Sequence, residues 1–220
     1  MTNESHIQHL VQQVIDLQLV PADDLPLTYW EGQDHVPAWV ELVRIGAPAI
    51  PYLLPHLDDA AVCGVLREFG DLAVEPLLRT LDTAPDDQKS DLLVILGWLE
   101  SSDPRINETL LRLADHSDPL IQDVALAGLA TRHHPQAYDR WVDKLNHQPE
   151  FSTLLFAIQS LSVLRDPRAV DHLLPLLDRD DVRHVVVLAL GSIGSPRAAA
   201  ALRRAAECET DPAILDNINW

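Results

Sequence analysis

The chain has 220 residues, 34 Asp plus Glu against 16 Lys plus Arg, a formal net charge of −18 and 47% hydrophobic side chains. That apolar fraction excludes a disordered chain, and the apolar residues are too dispersed for a membrane span. Eight glycines and 5% aromatics argue against a β sandwich or barrel, and the acidity argues against nucleic acid, whose phosphates call for excess Lys and Arg.

In chain order, no basic and apolar leader precedes the first helix signal, so a reducing cytoplasm is the expected compartment. Cys63 and Cys208 are 145 positions apart and make neither a disulfide scaffold nor a zinc ribbon. Asn3 can cap a helix whose stripe is Ile7, Leu10, Val11, Val14 and Ile15, and an acidic, proline-bearing linker at residues 21–35 follows. From residue 36 onward one pattern recurs. Its second half, a B helix, begins at Ala49, Ala73, Ile106, Ala137, Ala169 and Ala198, with starts 24 to 33 residues apart. In each B segment the apolar residues at i, i+1, i+4, i+5 and i+8 form one stripe over roughly three helical turns. An A helix precedes each, ending at Ile45-Gly46, Phe69-Gly70, Trp98-Leu99, Leu129-Ala130, Val163-Leu164 and Ile193-Gly194. Asp103-Pro104, Asp118-Pro119, Asp166-Pro167, Ser195-Pro196 and Asp211-Pro212 pair an N-cap oxygen with a proline at the first helical position, where its missing N–H costs nothing. The second repeat is short, so its A helix is expected to lose about one turn.

The strings Arg44-Ile45-Gly46-Ala47-Pro48-Ala49-Ile50-Pro51-Tyr52-Leu53-Leu54 and Leu190-Gly191-Ser192-Ile193-Gly194-Ser195-Pro196-Arg197-Ala198 resemble HEAT repeats, in particular the short bacterial type also found in phycobilin lyases. The resemblance spans residues 36–220. It implies an all-α fold, a right-handed α-solenoid of about six helix pairs, because a single pair cannot bury its own apolar face. Residues 1–35 would then supply an N-terminal capping helix and linker. Function is not implied by the motif, which consists of packing and capping residues.

Chemistry-bearing constellations are sparse. Ten histidines include His6 and His9 on one helix face and the pair His133-His134, but none has a Cys or second His at zinc-ligand spacing. The HEAT-like deoxyhypusine hydroxylases hold iron through His-Glu dipeptides, and this sequence contains none. Neither a nucleophile elbow nor a phosphate-cradling loop is present, and the Asp pairs sit at junctions where caps explain them. No metal or cofactor is therefore expected. HEAT-like alkylpurine DNA glycosylases need a basic groove. If the B helices line the concave face, its charged positions are Arg79, Arg112, Arg140, Lys144 and Arg204 against Glu75, Glu108, Asp139, Asp143 and Asp171, which sum to zero.

The expected function is protein binding or scaffolding along the concave B-helix ridge, without enzymatic activity. Candidate contacts are Tyr52, His56, Arg79, Arg112, Arg140, Lys144, His172 and Arg204, since Arg and Tyr dominate interface energies. The competing account of the cations is pairing within a helix, Glu75 with Arg79, Glu108 with Arg112, and Arg140 or Lys144 with Asp143 or Asp139. Alternative functions are a phycobilin-lyase-like accessory role and an acidic inhibitor or nucleic-acid mimic. Trp98 and Trp141 fall on apolar stripes and are expected in the core, whereas Trp30 and Trp39 are undetermined. Arg105, Arg168 and Arg197 follow the N1 prolines, where the helix dipole disfavours a cation, so each is expected to pair with acidic groups of an adjacent repeat.

Overall fold

The computed structural model describes residues 4–16, 37–147 and 149–208, and these residues contain helices and no strand. The N-terminal helix is α1 (Glu4–Ile15). The A helices are α2 (Pro37–Ile45), α4 (Ala60–Glu68), α6 (Asp86–Trp98), α8 (Pro119–Thr131), α10 (Phe151–Leu164) and α12 (Arg183–Ile193). They alternate with B helices α3 (Ile50–Leu53), α5 (Asp71–Thr83), α7 (Pro104–Leu113), α9 (Ala137–Asn146), α11 (Val170–Leu173) and α13 (Pro196–Cys208). The Asn3 cap, the linker with Trp30 and the Asp211-Pro212 cap lie outside the described residues.

The remaining caps act as their chemistry requires. Asp118 Oδ1 accepts from the backbone N–H groups of Leu120 at 2.8 Å and Ile121 at 3.2 Å, and Ser195 Oγ accepts from Ala198 N–H at 3.1 Å. Asp59 caps α4 in the same way, taking the N–H of Val62. α4 has 9 residues against 11 in α12, a loss of about half a turn where the spacing predicts about one.

Two B helices differ from the expected three turns. α3 has only four α-helical residues between 3₁₀ turns at Ala47–Ala49 and Leu54–His56, and α11 four between Pro167–Ala169 and Leu174–Asp178. Pro55 and Pro175 account for the 3₁₀ turn that follows each, because each removes the N–H that would continue the α ladder. A-to-B turns also need more than small residues. Positive φ occurs at Gly46, Gly70 and Gly194, but equally at His133 and Arg165. At Gly70 a Cβ would lie 3.2 Å from the carbonyl oxygen of Glu100, so conformation and space both call for glycine.

The chain packs as two units, Met1–Thr109 and Leu110–Trp220, with the division inside α7. In the first, α1 lies against α2, α3 and α4, and its stripe residues Ile7, Leu10, Val11 and Val14 are buried with Trp39, Leu42, Ile50 and Leu53. α1 thus covers apolar surface that the first repeat would otherwise expose. In the second, α10 packs between α8 and α12, with α9 against α8 and α10, and α11 and α13 against α12. Leu126, Leu129, Trp141, Ile158, Leu161, Leu173 and Leu190 form its core at 0% exposure, each contributing on the order of 1.5–3 kcal/mol by leaving water.

Candidate partner-binding surface

Three arginines at the second helical position join neighbouring repeats. Arg105 donates to Asp103, its own N-cap, at 2.8 Å and reaches back to Glu75 of α5 at 2.6 Å. Arg168 grips its cap Asp166 at 2.6 Å while its guanidinium lies 4.1 Å from the Tyr138 ring centre on α9. Arg197 pairs with Asp171 of α11 at 2.5 Å. Carboxylates and an aromatic face thus offset the unfavourable helix dipole; Arg105 and Arg197 each pair with an acid of the preceding repeat as expected, whereas Arg168 pairs with its own cap and meets the Tyr138 ring rather than a neighbouring acid. The arginine hydrogen bonds hold the carboxyls of Asp103, Glu75 and Asp166 below the usual range.

The eight candidate contacts divide between the units. In the first, Tyr52 and His56 are half-buried on and just after α3, and Arg79 is exposed on α5, paired with Glu75 at 2.6 Å as the i, i+4 spacing suggests. In the second, Arg112 is exposed on α7, His172 is half-buried on α11, and Arg204 is exposed on α13, its Nε 3.4 Å from the Ala200 carbonyl oxygen. Arg140 and Lys144 do not pair within α9. Arg140 donates to the Ala114 carbonyl at 2.8 Å and to the Asp115 carboxylate, so it satisfies an open carbonyl beyond the end of α7. Lys144 reaches Asp123 Oδ1 at 2.6 Å and Gln122 Oε1 at 3.2 Å, both on α8.

Asp123 is the residue that sequence reasoning missed. Its carboxylate, on a residue 2% exposed, also accepts from Thr153 Oγ1 of α10 at 2.5 Å, so one buried group ties α8, α9 and α10. The available signal was a lone carboxylate inside the apolar run from Ile121 to Ala130. Trp141 is in the core as expected, and its indole N–H has no acceptor among the described residues. Trp98 is not: at 38% exposure it stands at the end of α6, on the surface. Trp39 is buried, and its indole donates to Glu68 at 2.7 Å.

Cys63 is a poor nucleophile. Burial first, then the nearby Asp91, Asp59 and Asp58 carboxylates, push its thiol up to about 12, and its Sγ donates to the Leu57 carbonyl at 3.1 Å. Among the described residues no three His, Cys, Asp or Glu side chains gather as metal ligands, and no helix is long and apolar enough to cross a membrane.

Alternating helices packed on their neighbours, Asp-Pro caps and arginines that pair between repeats define an α-helical repeat protein. The family model for HEAT repeats matches residues 106–185 and 139–215, half of the chain in all, and the chain belongs to this family. Repeats of this family generally serve protein–protein interaction or scaffolding. A search of curated proteins finds no match to the chain.

Proposed function

We propose that the chain is a protein-binding or scaffolding module whose partner docks along the outward row of the B helices. One observation carries this reading: apolar stripes and second-position arginines serve packing between repeats, while Tyr52, His56, Arg79, Arg112, His172 and Arg204 stay at least partly exposed on the B elements. Arg140 and Lys144 belong to the same row, but they already hold Asp115 and Asp123, so their proposed part is to fix α9. Residues 1–35 act as cap and linker in this organisation, and residues 36–220 as the repeat array. The test compares capture from host extract by the native chain and by a variant with Tyr52, Arg79, Arg112 and Arg204 changed to Ala. A partner that survives high salt and is lost by the variant at unchanged Tm supports the row, whereas equal capture by both proteins removes it.

A second reading, an acidic decoy for a basic partner, is favoured by the distribution of charge. Met1–Thr109 carries 19 acids against 5 bases, net −14, whereas Leu110–Trp220 carries 15 against 11, net −4. That reading requires capture only at low salt, indifferent to the four alanines.

A further inference from the structure

The first unit contains a small, shallow apolar groove between α4 and α6, lined by Cys63, Gly64, Arg67 and Trp98. Two files of side chains flank it. Along α4, the N-cap Asp59 and then Cys63 and Arg67 recur every fourth residue. On α6, Asp91 and Trp98 are seven residues apart, two turns along one face and about 10 Å at the helical rise. Its ends differ in chemistry. At one end stands the exposed Trp98 ring, beside an Arg67–Glu100 pair at 2.9 Å that has already neutralised both charges. At the other stand Asp58 and Asp59 at the start of α4 and Asp91 of α6: burial and the Asp58 charge together push the Asp91 carboxyl up, and all three carboxylates act on Cys63 in the groove. Among the described residues no cation pairs with Asp58 or Asp91, although Lys89 of α6 serves Asp86 at 2.6 Å.

We infer that this groove is a second docking site, distinct from the B-helix row, and that it seats a basic amphipathic segment of a partner protein. The segment places an apolar side chain against Trp98, Cys63 and Gly64, and a Lys or Arg about 10 Å away among Asp58, Asp59 and Asp91. Charge complementarity selects this occupant. A cation would relieve the repulsion between Asp58 and Asp91 and face Asp59 as well, whereas an acidic or nucleic-acid ligand would add to that repulsion. An exposed tryptophan beside an apolar floor supplies the anchor that such a contact needs.

The full chain, labelled with ¹⁵N, is titrated with a synthetic 14-residue amphipathic peptide of Leu and Lys, and in parallel with its Leu and Glu counterpart. The expected result is shifts confined to the amides of residues 58–67 and 91–100 and the Trp98 indole, with the Lys peptide only. Asp58→Asn with Asp91→Asn, and separately Trp98→Ala, should each weaken binding about tenfold. Neutralising Asp91 relieves repulsion within the fold, so lost binding in the Asn variant is not lost folding, and a melting curve on each protein checks it. Shifts centred on Tyr52 and Arg79, equal response to the two peptides, unchanged affinity in the variants, or no response at millimolar peptide would each overturn the assignment. Because none of these residues belongs to the B-helix row, failure here leaves that row standing, and the reverse holds.

Discussion

Single residues in this fold show where backbone geometry and charge oppose each other. Arg165 closes α10 with φ 51°, a left-handed conformation that strains any residue with a Cβ. It is exposed, so Arg165→Gly should remove strain without losing packing and stabilise by about 0.5–1 kcal/mol net of the extra freedom of the unfolded chain, read as a rise in Tm. A fall in Tm would show that the guanidinium contributes more than the strain costs. Asp91 presents the electrostatic counterpart. Its carboxyl is pushed above the usual range by burial and by Asp58, so the ionised form costs stability once pH rises past the unfolded value. Asp91→Asn should therefore raise Tm at pH 7, and the gain should vanish as pH falls below the ordinary carboxylate range. Asp103, Glu75 and Asp166 have the opposite sign. Their lowered carboxyls stabilise above about pH 4 and lose that contribution as acid titrates them, so acid unfolding should begin with the arginine ladder.

Between elements, the Asp123–Lys144 pair is the clearest test of how repeats are held in register. When Ala125 of α8 is aligned with Ala189 of α12, Asp123 occupies the position of Val187, which is 1% exposed, so a hydrophobic residue suits this site. The two partners are unequal: the Asp123 side chain is 3% exposed and that of Lys144 24%. Lys144→Met strands a carboxylate away from water and should cost about 3 kcal/mol or more. Asp123→Val leaves an ammonium that can swing into water and should cost about 1 kcal/mol. The double replacement should recover most of the loss in urea unfolding. Equal costs for the two single variants would show that Lys144 is held as tightly as its partner.

At the scale of the whole molecule the net charge of −18 is shared unevenly, −14 in Met1–Thr109 and −4 in Leu110–Trp220. Salt screens self-repulsion and ion pairs alike, and repulsion dominates only where like charge is in large excess. Raising ionic strength from about 10 to 150 mM should therefore increase amide-exchange protection in α4 and α6 more than in α8 and α10. Equal gains in both units would show that the excess acids lie too far apart in space to repel.

Much of this organisation was legible in sequence because helical repeats are local objects. A 3.6-residue apolar period, an Asp-Pro start and a small-residue stop each act over a few residues, so the alternating A and B helices, the short α4 and the buried stripe of α1 follow from the residues alone. Even the partners of Arg105 and Arg197 could be inferred, since a cation at a helix start must find an anion nearby. What the sequence could not decide was long-range pairing. Within α9 the sequence offers Arg140 the acid Asp143 at i+3 and sets Lys144 beside the same Asp143, but the packing of neighbouring elements brings Asp115, just after α7, to Arg140 and Asp123 of α8 to Lys144. Trp98 carries the periodicity of a core residue and stands at the surface, where α4 meets it with Cys63, Gly64 and Arg67 without covering it. Periodicity tells which face of a helix is apolar. Only packing tells how much of that face is covered, and that is a property of the neighbouring helix.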